Sequence, residues 1–143
     1  MLDRLLMTNE WPDGLPVNQV RVARPTDKLD EVVRFYSEGL GLKIVGSFHE
    51  HEGYSGYMLG LPGRDYHLEF TQHSAGSPCP TPSRDNLLVF YIRDKAALDR
   101  IADRLSALGY HSVGAENPYW TEKGITIEDP DGWRVVLMNS PGI

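Results

Sequence analysis

A chain of 143 residues is long enough for one domain or two very small ones. With 41% hydrophobic and 24% charged residues it can build an ordinary globular core without disulfides or a structural metal. A net charge of −6 with no basic stripe excludes a general nucleic-acid surface, and no apolar run approaches the roughly 20 residues needed to span a bilayer.

The first ten residues carry Asp3 and Glu10 and no long apolar stretch, so they do not read as a signal peptide. A cytoplasmic location without membrane contact is the resulting expectation. The single cysteine, Cys79, excludes an intrachain disulfide and reads as a plain loop residue in a proline-rich stretch.

In chain order, a short β-prone run at 18–23 comes first. Leu29, Val32, Val33, Tyr36 and Leu40 then recur at spacings of three and four, which predicts a helix with one apolar stripe. Asp27 is its candidate N-cap and Gly41 its stop. Strands are expected at 42–48, 56–61 and 66–71, with Pro62-Gly63 as a turn between the last two.

Residues 74–86, rich in Pro, Ser and Gly, read as a linker. A strand at 87–92 and a helix through Leu98, Ile101, Leu105 and Leu108 follow, with Asp94 as N-cap and Gly109 as stop. Strands at 112–115, 124–128 and 134–138 complete the chain, the last two joined by Asp129-Pro130-Asp131-Gly132.

The two halves correspond when the chain is shifted by 68 positions: Val20 and Val22 fall on Leu88 and Phe90, Leu40-Gly41 on Leu108-Gly109, and Val45-Gly46 on Val113-Gly114. Each half is βαβββ, with modules at 17–73 and 87–140. A four-stranded sheet with one helix covers only one of its faces, so the other must be buried or form a cavity. The expected fold class is α+β, two βαβββ modules whose curved sheets form a shared cleft.

Phe35-Tyr36 followed by Gly39-Leu40-Gly41-Leu42, then His67-Leu68-Glu69-Phe70, then Asp129-Pro130-Asp131-Gly132 before a strand, resemble in order and spacing the vicinal oxygen chelate superfamily. That superfamily holds glyoxalase I, bleomycin-resistance proteins and extradiol dioxygenases. The stretch from Asn117-Pro118-Tyr119-Trp120 through Val136 looks like a bacterial glyoxalase/bleomycin-resistance subgroup.

The resemblance implies one divalent metal, held by a side chain from the first and last strand of each module. Here those positions fall at Gln19, Glu69, Leu87 and Val136. Leu and Val cannot coordinate a cation, and a register error of one residue restores neither a His nor a carboxylate. No catalytic metal is therefore expected, although a divalent ion in an unorthodox site of His49, His51, His67 and Glu69 stays open.

If Val20 and Val22 face the helix, then Gln19, Arg21 and Ala23 point into the cleft. Glu69 reads as a salt-bridge partner of Arg21 or Arg134, as a general base, or as a metal ligand. Arg21 and Arg134 read as anchors for a ligand carboxylate or phosphate, or as internal partners of Glu69. Trp120 reads as cleft lining, or as core or dimer packing.

The candidate set is thus Glu69 and His67 for catalysis, and Gln19, Arg21, Trp120 and Arg134 for ligand binding. The expected function is a bleomycin-resistance-like protein that binds a small organic molecule without a metal. The alternative is a glyoxalase-like isomerase or lyase, metal-dependent or using Glu69 or His67 as base. By the same resemblance the protein is expected to be a homodimer with two clefts.

Overall fold

The computed structural model describes residues 11–77, 79–80 and 82–143. The first ten residues, read above as no signal peptide, lie outside them. Strand β1 (Val20–Pro25) leads into helix α1 (Leu29–Arg34), which widens into a π turn at Phe35–Gly39. Strands β2 (Lys43–His51), β3 (Tyr54–Gly60) and β4 (Tyr66–His73) complete the first sheet, in the order β1-β4-β3-β2.

The second half repeats this plan. Strand β5 (Leu87–Tyr91), helix α2 (Lys95–Ala107), and strands β6 (Ser112–Val113), β7 (Gly124–Glu128) and β8 (Arg134–Met138) form a sheet ordered β5-β8-β7-β6. In each sheet the first and last strands run parallel and the other pairs antiparallel. No helix among the described residues is long and apolar enough to cross a membrane.

The helix stops follow from backbone chemistry. Gly41 and Gly109 take φ of +96° and +97°, a conformation open to glycine at little cost. The starts divide. Asp94 caps α2 by accepting from the Ala96 N–H at 3.0 Å. Asp27 does not cap α1: its carboxylate accepts from the Ser77 N–H instead, and Gln72 Oε1 takes the Leu29 N–H at 2.9 Å. A side chain from β4 has replaced the local cap because α1 packs on that strand.

Leu59, Leu68 and Phe70 from the first sheet and Ile127, Val135 and Leu137 from the second join residues of both helices in one core. The helices touch end to end. Arg104 donates to the carbonyls of Gly39 and Leu40 at 2.8 and 3.1 Å. A Cβ on Gly39 would fall 2.5 Å from Leu105 Cδ2, so the close approach needs glycine there. Because the helix-facing sides of both sheets meet in this core, each sheet's other side faces outward. The pairing of Arg21 with His67 and of Ala23 with Glu69 sets these four on the first sheet's outward side. Val22 lies on the helix side as expected but is 59% exposed, since β1 is an edge strand beyond the cover of the short α1.

A buried charge cluster ties the modules together. Arg24, at the end of β1, forms ion pairs with Asp129 and, at 2.9 Å, with Asp131 in the β7–β8 turn. Its guanidinium lies over the rings of Phe70 and Trp133. Tyr36 donates its hydroxyl to Asp129 Oδ2 at 2.8 Å, and the N–H groups of Asp131 and Trp133 donate to Oδ1. Burial pushes the Asp129 carboxyl up, while Arg24 and these donors pull it back.

Removing one partner of a buried pair strands the other charge. Asp129→Ala should therefore cost about 3–5 kcal/mol in urea unfolding; a loss under about 1 kcal/mol would show that the cluster does not join the modules.

Burial, reinforced by Asp129, holds the Tyr36 phenol well above its ordinary range. The unfolded chain releases that proton near pH 10, whereas the folded chain keeps it. This contribution to stability is full below that pH and falls above it. Tyr36→Phe should be less stable than wild type by about 1 kcal/mol at neutral pH. The gap should narrow in denaturation series taken above about pH 10, and a constant gap would contradict the assignment.

Candidate functional site

On the outward side of the first sheet three polar side chains come together. Arg21 Nε donates to His67 Nε2 at 2.8 Å, and Arg21 Nη1 meets Glu69 Oε2 at 3.3 Å. The register explains the meeting: Arg21 sits beside His67, and Glu69 lies one row further along beside Ala23 and Met58. His67 and Glu69 are buried, while the Arg21 side chain is 47% exposed and covers them.

A hollow of about 250 Å³ opens over this group, lined by Gln19, Arg21, Val45, Met58, Leu61 and His67 with the Pro62-Gly63 turn. All of its walls come from the first module. Val45 and Leu61 are 42% and 45% exposed, so the hollow lacks a second wall.

The other expected residues are placed differently. Gln19 lies just before β1 and donates its amide to the Arg64 carbonyl at 3.3 Å, so it lines the hollow without reaching Glu69. Arg134 does not pair with Glu69. It is 6% exposed and bonds within its own module, to Glu128 at 3.2 Å and to the Gly114 carbonyl at 2.9 Å. Its contacts serve to anchor the segment after β6, which the sequence alone could not distinguish from ligand binding.

Trp120 belongs to a short 3₁₀ turn, Pro118–Trp120, started by Asn117 and packed on β7. A Cβ on Gly124 would collide with the Trp120 carbonyl, so this turn rests directly on the sheet. Beside it Thr126, Val136 and Met138 are buried on the second sheet's outward side. Leu87 lies next to Arg134 on the same side.

The histidines do not assemble. His49 stacks edge-on against Tyr57 and lines a different hollow beside the start of α1, on the opposite side of the sheet from His67. His51 pairs across β3 with the row of His73, six residues and about 20 Å along the strand from His67. Among the described residues no group of three or more His, Cys, Asp or Glu side chains could hold a metal.

The donor chemistry agrees. Leu87 and Val136 offer hydrocarbon, Gln19 is turned away, and the lone pairs of His67 Nε2 and Glu69 Oε2 face a permanently charged guanidinium. These residues do not fit a divalent ion.

Residues 20–71 match the YycE-like N-terminal domain and residues 85–139 the YycE-like C-terminal domain. A relative, the uncharacterized protein YycE of Bacillus subtilis, is 58% identical over 125 residues, spanning 87% of this chain and 90% of the relative. This chain belongs to the YycE-like family. A crystal structure of Bacillus subtilis YycE, a protein of unknown function, superposes with a TM-score of 0.88 at 53% identity, over 94% of this chain and 98% of that one.

The glyoxalase I of Leishmania major aligns at TM-score 0.66 and 18% identity, covering 85% of each chain. The fosfomycin resistance protein FosX of Mesorhizobium loti aligns at 0.66 and 18%, over 85% of this chain and 90% of FosX. The YycE-like family thus shares the α+β fold of the vicinal oxygen chelate proteins, as the sequence motifs implied.

The seat of the Trp120 turn on β7 can be tested. Gly124→Ala should push the turn off the sheet, destabilise the protein by about 1–3 kcal/mol and expose residues 116–123 to limited proteolysis. Unchanged stability and cleavage would show that the turn is not held there.

Proposed function

We propose that this protein binds a small organic molecule over the outward side of its first sheet, without a catalytic metal, in a homodimer whose partner supplies the missing wall. The observation that carries the reading is the Arg21–His67–Glu69 group beneath an open, partly apolar hollow. Pockets for small molecules combine apolar walls with a few fixed polar groups, and this hollow has both.

The general-base reading finds less support. His67 has its Nε2 lone pair occupied by Arg21, and Glu69 Oε2 faces the same guanidinium, so the basic atoms that meet Arg21 are already engaged. The partner reading rests on burial. Exposed Val45 and Leu61 flank the hollow, and the chain's own second module is held on the far side of the core by the Arg24 cluster. An isologous dimer would create two equal clefts.

Sedimentation at micromolar concentration should give about twice the chain mass of 16.1 kDa. A thermal-melting screen of small aromatic, aliphatic, acidic and neutral compounds should yield stabilising ligands whose effect persists after chelator treatment. A clean monomer would remove the partner wall, and stabilisation lost on chelation would move the metal-enzyme alternative to first place.

A further inference from the structure

We propose that Arg21 is the resident cation of this site: it anchors a small organic oxyanion and holds divalent ions off His67 and Glu69. This rests on the small-molecule reading above and names the ligand class. Two contacts fix the guanidinium, Nε to His67 and Nη1 to Glu69. Nη2 makes no hydrogen bond among the described residues, and the side chain borders the hollow.

A second, independent observation points the same way. An arginine is always a donor, so His67 accepts at Nε2 and carries its proton on Nδ1. Nδ1 is buried with no hydrogen-bond partner, in a residue only 7% exposed that lines the same hollow. A buried donor without an acceptor is costly, and no acceptor among the described residues relieves it.

A permanently cationic donor edge left free at the hollow calls for an acceptor-rich anion. Carboxylates and phosphate esters supply paired oxygens at the spacing a guanidinium edge matches. Val45, Met58, Leu61 and Pro62 call for an apolar body on that anion. Glu69 orients Arg21 through Nη1 and leaves the Nη2 edge free. The same arrangement excludes a metal, because a divalent ion would need the lone pairs that face Arg21 and would sit against its charge.

The test uses full-length ¹⁵N-labelled protein and three probes: benzoate, phenyl phosphate and, as neutral isostere, benzamide. The His67 ring should show the Nδ1–H form before any addition. Benzoate or phenyl phosphate should saturably shift the Arg21 Nε–H and His67 Nδ1 signals, and the pair separates a carboxylate from a phosphate preference. Arg21→Gln should weaken this binding by roughly tenfold or more, while Arg21→Lys, which keeps the charge, should recover part of it; well-dispersed spectra establish that both variants fold.

In the cation arm, calorimetry with Zn²⁺ should give no uptake at this face in wild type. Arg21→His should bind one ion there at micromolar affinity, lost again on Glu69→Ala. Benzamide and benzoate binding equally would leave a small-molecule cleft standing and overturn the anion anchor. No saturable shift with either anion, anion binding that survives Arg21→Gln, or Zn²⁺ uptake by wild type that Glu69→Ala removes would each overturn it too. The melting screen continues to judge the cleft by itself.

Discussion

The ion pairs of Arg24 with Asp129 and Asp131 hold the architecture in place. The Asp129 side chain is fully buried and closes the β7–β8 turn, accepts from Tyr36 and meets Arg24 at the same time. Such a pair is a weak source of net stability, because desolvating both groups offsets most of their attraction. Its role is geometric. It fixes the end of β1 against the last hairpin, and with the Arg104 contacts to Gly39 and Leu40 it sets the two helices in a common core. Once the helix sides of both sheets are shared in this way, their other sides must face outward. The incomplete hollow over Arg21 follows from that constraint.

The two outward sides are not equivalent, although the modules repeat. The first carries Arg21, His67 and Glu69 beneath an open hollow. The second carries Leu87, Val136, Thr126 and Met138, and the Pro118–Trp120 turn of the same chain rests against it. Arg134, the one charged residue placed there by the repeat with a side chain as long as that of Arg21, is drawn inward by Glu128 and the Gly114 carbonyl. One module therefore presents open polar chemistry, and the other a side largely covered by its own chain.

How much of this could be read from the sequence depended on the range of the interaction. Periodicity of Leu29, Val32, Val33 and Tyr36, and of Leu98, Ile101 and Leu105, placed both helices, because a stripe of buried side chains is a local signal. Alternation along β1 placed Arg21 on the outward side for the same reason. The Asp94 cap was legible and the absent Asp27 cap was not, since the latter was displaced by Gln72, 43 residues away in the chain. Arg24 and Asp129 are separated by 105 residues, and Asp129 read as no more than a turn residue. Of the two candidate partners of Glu69, the residue types alone could not choose; strand register did, by setting Arg21 one row from Glu69 and Arg134 beside Glu128.

An arginine set beside His67 and Glu69 also limits the chemistry. A divalent ion can polarise an oxygen strongly and exchange its water for substrate. A guanidinium carries a single, delocalised charge in a planar fork, so it recognises shape and charge but activates no water. Tied to His67 and Glu69, the Arg21 fork is oriented before a ligand arrives, and little side-chain freedom is left to lose on binding. On the proposed reading, the YycE-like chain has, in place of the Lewis acid that the superfamily resemblance implied, a preorganised hydrogen-bond donor. Such a donor favours holding an anion over transforming it.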